Sequence, residues 1–102
     1  MSQITITWKA FGEHGDRVIT SVAFNTMEYY ESNSDRLGFC EGVFAQTNTY
    51  CGPLWDIIEP RLAPKRTHTA LSVGDEVSVD GWVYRCENVG FILTNPLVGI
   101  VR

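Results

Sequence analysis

Val77-Ser78-Val79-Asp80-Gly81-Trp82-Val83-Tyr84 decides the fold. Two alternating runs flank Asp-Gly. The tight hairpin turn needs positive φ at both central residues, which Gly adopts freely and Asp better than most. A two-residue loop fixes the register, opposing Val79 to Trp82, Val77 to Tyr84 and Glu76 to Arg85. Val77, Val79, Trp82 and Tyr84 then share one face. Glu76 and Arg85 form an opposed charge pair on the other.

Downstream, Glu87-Asn88 turns the chain into a further strand from Val89 to Leu93. Asn95-Pro96 is a turn, and Leu97 to Val101 predicts a short edge strand. At the other end, Ile4, Ile6, Trp8 and Ala10 alternate with polar residues, which predicts a strand over 3–10 with one buried face. Gly12 to Asp16 is a loop. Val18, Thr20, Val22 and Phe24 mark a second strand, antiparallel to the first.

Residues 26–32 read as a short helix or as irregular structure. Ser32-Asn33-Ser34-Asp35 holds N-cap residues, and Leu37, Cys40, Val43 and Phe44 follow on one helical face, predicting a helix over 35–47. Gly38 and Gly42 inside it either allow close approach to the sheet or shorten the helix. Asn48 is the expected left-handed terminator. Pro53 fits a first helical position, Leu54, Trp55, Ile57 and Ile58 supply apolar positions, and Pro60 stops a brief helix over 53–59. Residues 61–69 read as a polar loop. The expectation is a single α+β domain over 1–102: an antiparallel sheet of four to five strands with one main helix and one short helix packed on it.

Composition agrees with a folded domain, since 44% of 102 residues are hydrophobic. No apolar run reaches the ~18 residues of a membrane span, and residues 1–5 lack the features of a secretory signal. Three cysteines, an odd number, then predict reduced thiols and a cytoplasmic setting. Cys40 and Cys86 read as buried and Cys51 as exposed.

The formal charge of −4 argues against a general nucleic-acid binder. The acidic excess lies in residues 1–51, mostly between Glu28 and Glu41. That stretch is either a solvated helix face or an acidic docking surface for a basic partner. No phosphate-binding glycine loop occurs. The cysteines and histidines, at 14, 40, 51, 68 and 86, include no pair at metal-ligand spacing. His14 and His68 fall in polar loops without a nucleophile and orienter nearby in sequence, so neither a metal, a cofactor nor an enzyme is expected.

Ala70-Leu71-Ser72-Val73-Gly74-Asp75-Glu76-Val77, then Asp80-Gly81, then Tyr84-Arg85-Cys86-Glu87-Asn88-Val89-Gly90-Phe91, resembles the YodL-like small domains of phages, plasmids and integrated elements. Val43-Phe44-Ala45-Gln46-Thr47-Asn48 is similar to their preceding helix end. The likeness covers about 36–93 and is tight over 71–91, while Tyr50 to Arg66 is longer than the pattern and the first 25 residues are only loosely similar. Gly74 suits a special backbone angle, Asp75 a turn cap, and Gly90 relief of crowding beside Phe91. The neighbourhood of such domains, beside antirestriction genes, implies an accessory role in host takeover or defence evasion.

The functional expectation is therefore a non-enzymatic protein of a mobile genetic element that binds a host protein, with inhibition of a defence complex (anti-CRISPR or antirestriction) as its specific form. The candidate contact residues are Glu28, Tyr29, Tyr30, Glu31, Asp35, Tyr50 and Trp55, because aromatics beside charge are favoured at interfaces. The alternative is a small nucleic-acid- or nucleotide-binding module using Arg61, Lys65, Arg66 and His68. No membrane partner is expected, and the chain is a monomer or a homodimer that pairs strand edges or the Trp55 segment.

Overall fold

The computed structural model describes residues 1–9, 20–62 and 70–95. Five strands form one antiparallel sheet: β1 (Ser2–Trp8), β2 (Thr20–Thr26), β3 (Glu76–Val79), β4 (Trp82–Glu87) and β5 (Gly90–Leu93). Their order across the sheet is β2-β1-β3-β4-β5. Helix α1 (Asn33–Thr49) and the short α2 (Pro53–Ile58) follow β2, and a 3-10 turn (Glu59–Arg61) ends the helical part. The α+β expectation holds. The edge strand expected over 97–101 and the loop at 12–16 lie outside the described residues.

The hairpin has the register its sequence specifies, Val79 opposite Trp82, Val77 opposite Tyr84 and Glu76 opposite Arg85. Asp80 and Gly81 both have positive φ, 52° and 91°. Asp80 also ties the turn to β1, since its carboxylate accepts from Ser2 Oγ and from the Gln3 N–H, both at 2.8 Å. The opposed charges do not pair. Glu76 instead accepts from Lys9 Nζ at 3.0 Å, and Arg85 pairs with Glu87 on its own strand. β1 lies between β2 and β3 and so brings Lys9 to Glu76.

Alternation puts Ile4, Ile6, Trp8, Val22, Phe24, Val77, Val79, Tyr84 and Cys86 on one buried sheet face. Both helices contribute to the core on that side, through Phe39, Cys40, Val43, Trp55 and Ile58. Ser32 caps α1 by accepting from the Asp35 N–H at 3.0 Å. The buried face of α1 is Arg36, Phe39, Cys40, Val43 and Thr47, rotated from the expected one. Leu37 is only half-buried and Phe44 is exposed, though Phe44 meets Phe91 edge-on at 6.5 Å. The terminator is Tyr50, at φ 56°, whose N–H donates to Gln46 O; Asn48 stays helical and its side chain donates to Phe44 O.

Neither helix glycine serves close approach to the sheet. A Cβ at Gly38 meets nothing within 4 Å, and one at Gly42 meets only Leu54, at 3.7 Å. The helix is not shortened either, running 17 residues. Gly90 does have a backbone reason, with φ 126°. Beyond its chain neighbours, the atom nearest a Cβ there is Glu41 Oε2 at 3.3 Å. The segment 27–31 is irregular rather than helical. Helix α2 begins at Pro53, and Gln46 Oε1 caps it by accepting from the Leu54 and Trp55 N–H groups at 2.7 and 3.2 Å.

Candidate functional site

Glu28, Tyr29, Tyr30 and Asp35 come together at the N-terminal end of α1. With Ser34, Gly38 and Phe39 they line an open groove of about 710 Å³. Tyr29 is 64% exposed, while Tyr30 is half-buried and packs on Phe39 with ring centroids 4.9 Å apart. Tyr30 and Phe39 thus form a fixed floor beneath an exposed Tyr29. Glu28, Glu31 and Asp35 are all exposed, and among the described residues no salt bridge reaches any of them. Burial first, then the negative charge of Glu28, raises the Tyr30 hydroxyl above its ordinary value, so it stays protonated at neutral pH.

The groove wall is an irregular segment, and a buried cation holds it. Arg36 is 6% exposed. Its Nη1 donates to the carbonyls of Tyr30 and Glu31 at 3.1 and 3.0 Å, and its Nε donates to Tyr84 Oη at 2.9 Å. The guanidinium lies 4.2 Å from the centroid of the Trp82 ring. Tyr84 Oη in turn donates to Asn33 Oδ1 at 2.6 Å. The Tyr30 N–H donates to Ser2 Oγ, which pins the same segment to β1. The sequence pattern points to the acidic and aromatic residues but assigns no role to Arg36. Its position one turn before Cys40 on the helix face was the available signal.

The remaining candidates separate from this cluster. Tyr50 is exposed but sits at the far end of α1, about 25 Å of helix away. Trp55 is 7% exposed, packs against Tyr50 at 5.4 Å and belongs to the core, so it leaves the candidate surface. Trp55 and Ile58 are the two residues by which α2 enters the core. Of the alternative basic set, Arg61 donates to Ile57 O at 2.7 Å on its own helical turn. Lys65, Arg66 and His68 lie outside the described residues, as does His14.

Among the described residues no group of three or more His, Cys, Asp or Glu is placed to hold a metal, and no helix is long and apolar enough to cross a membrane. Cys40 and Cys86 are buried and Cys51 is exposed, each as expected. Burial, then the charge of Glu41, pushes the Cys40 thiol up to about 12. Burial, then the charge of Asp75, also raises Cys86. The folded state therefore keeps both thiols protonated where the unfolded chain loses those protons. Their contribution to stability is complete below the unfolded value of ~8.5 and is lost as pH rises through the folded values. The unfolding free energy should fall between about pH 8.5 and 10.5, by about 1 kcal/mol per pH unit from Cys40, and is read as a falling melting temperature. Cys40→Ala should flatten that fall, and an unchanged slope would refute the assignment.

No family model, no curated protein and no solved structure matches this chain.

Proposed function

We propose that this chain is a non-enzymatic binding protein whose acidic, tyrosine-bearing groove docks a basic segment of a host protein. The observation that carries the reading is the exposed Tyr29 ring beside Glu28 and Asp35, over the fixed floor of Tyr30 and Phe39. A tyrosine on a stiff support gives contact area at low entropic cost. Carboxylates without an internal cation direct their field outward and speed the approach of a positive partner. In its specific form the protein is an accessory of a phage or plasmid, acting in the bacterial cytoplasm on a defence complex as an anti-CRISPR or antirestriction factor. That form rests on the resemblance over residues 71–91.

The test compares wild type with the triple variant Glu28→Lys, Glu31→Lys, Asp35→Lys, each tagged and presented to nuclease-treated bacterial lysate. Wild type should retain a stoichiometric protein. The variant should lose it, with association slowed roughly 10- to 100-fold at low salt. Tyr29→Ala should weaken binding about tenfold or more. Unchanged capture by the triple variant at low salt would remove the acidic groove as the docking surface.

A further inference from the structure

The edge of the sheet at β2 offers a second surface, independent of the groove. β2 is seven residues long and pairs with β1 alone among the described strands. Hydrogen-bond directions identify the backbone groups left open. The Gln3 N–H donates to Asp80 Oδ1, the Gln3 carbonyl accepts from the Asp80 N–H, and the Lys9 N–H donates to Asp75 Oδ1. Odd residues of β1 therefore aim their backbone toward β3. Successive strand residues aim alternately, so Ile4, Ile6 and Trp8 aim at β2 and bond their register partners Phe24, Val22 and Thr20. Ser21, Ala23 and Asn25 consequently aim three N–H and three C=O groups outward, and all three residues are exposed.

The opposite edge is β5, only four residues long, and shortness is one way proteins protect an edge. β2 is longer, and among the described residues no strand pairs with its outer side. Thr20–Thr26 contains no charge, proline or glycine. We propose that β2 pairs antiparallel with β2 of a second copy of this chain, about a two-fold axis at Ala23, giving a continuous ten-stranded sheet. The strand is self-complementary about that residue. Ser21 opposes Asn25 of the second copy on the outer face, and Val22 opposes Phe24 of the second copy on the helix face. The axis stands perpendicular to the sheet, so both helix layers lie on the same side.

Charge permits the approach. Each chain carries −4, but β2 is neutral and the nearest carboxylate beyond it is Glu28. Three residues on each side of the axis, at ~3.4 Å per residue, set the two Thr26 residues roughly 20 Å apart. That exceeds twice the ~8 Å Debye length, so repulsion between the acidic ends is screened. An edge of roughly 24 Å buries an area at the low end for specific interfaces, which predicts a dimer that dissociates in the micromolar range.

Sedimentation velocity from about 1 µM to 1 mM, in reductant so that exposed Cys51 cannot cross-link, tests this. Sedimentation should shift from monomer to dimer with concentration. Ala23→Lys sets two like charges in direct opposition and should weaken the dimer at least tenfold, with the melting temperature of the monomer held within roughly 3 °C. Ala23→Glu should do the same, and an equimolar mixture of the two variants should restore the dimer. A monomer throughout, a dimer that Ala23→Lys leaves intact, a mixture that fails to associate or assembly beyond the dimer would each overturn the proposal.

Discussion

Arg36→Ala should cost about 3 kcal/mol of folding stability. Three hydrogen bonds from the guanidinium and its stacking on Trp82 disappear together. Bonds to a charged donor are worth about 1.5–3 kcal/mol each, and a cation on an indole face about 1–2. The gross loss is larger than 3, but the guanidinium pays a desolvation penalty in the folded state that its removal returns. In urea the midpoint should fall by roughly 2 M, and the melting temperature by on the order of 15 °C. Arg36→Lys should not rescue, because one ammonium cannot reach Tyr84 and both carbonyls in the plane that the guanidinium spans. Arg36→Met is the informative partner. It refills the core volume and should recover part of the stability, yet it leaves the Tyr30 and Glu31 carbonyls without their donor. Hydrogen exchange at residues 29–31 should therefore rise in both variants, while the helix and sheet regain protection in Arg36→Met. A loss under 1 kcal/mol in Arg36→Ala would show that the cation does not hold the groove wall.

The same residue explains where sequence reading stops. Periodicity reports apolar side chains, so it oriented α1 by Leu37, Cys40, Val43 and Phe44. The observed face follows Arg36, Cys40, Val43 and Thr47, spaced by four, three and four. Two of those four are polar, and each is buried because of a partner far away in sequence. Arg36 meets Tyr84, and Thr47 Oγ1 accepts from the Leu71 N–H at 3.2 Å. A local pattern carries no record of such partners. It does carry the hairpin register, because Asp80-Gly81 is complete in itself, and the Ser32 cap, whose acceptor and donor lie three residues apart. Glu76 shows both sides. Its strand partner Arg85 follows from the turn, but its ionic partner Lys9 follows from the strand order, which no local signal specifies. In the groove, Glu28, Tyr29, Tyr30 and Asp35 were legible because they are near neighbours, whereas the inward turn of Trp55 depends on the packing of α2.

Asp75→Ala should rank next, at about 3 kcal/mol, and it probes the motif on which the sequence resemblance rests. Asp75 is 1% exposed. Its Oδ1 accepts from the Lys9 N–H at 2.7 Å and its Oδ2 from the Ser72 N–H at 2.9 Å. Its backbone closes the same knot, donating to Ser72 O at 2.9 Å and accepting from the Cys86 N–H at 2.8 Å. The carboxylate thus joins the end of β1 to the turn before β3, and the backbone of the same residue ties that turn to β4 just beyond the end of the β3–β4 pair. These two donors are backbone groups, one to each carboxylate oxygen. Alanine removes both acceptors, and each backbone N–H left buried costs about 1–3 kcal/mol. Asparagine keeps one oxygen and turns an NH2 toward the other N–H, so Asp75→Asn should cost less than alanine yet well over 1 kcal/mol. Asp75→Glu lengthens the side chain by one methylene at a buried position and should fall near asparagine. Denaturant unfolding orders the three. The order Ala, then Asn and Glu, then wild type is what a two-pronged acceptor produces. If Asn equals wild type, the carboxylate geometry is not what closes the turn, and Gly74 with φ 102° must set that turn through the backbone alone.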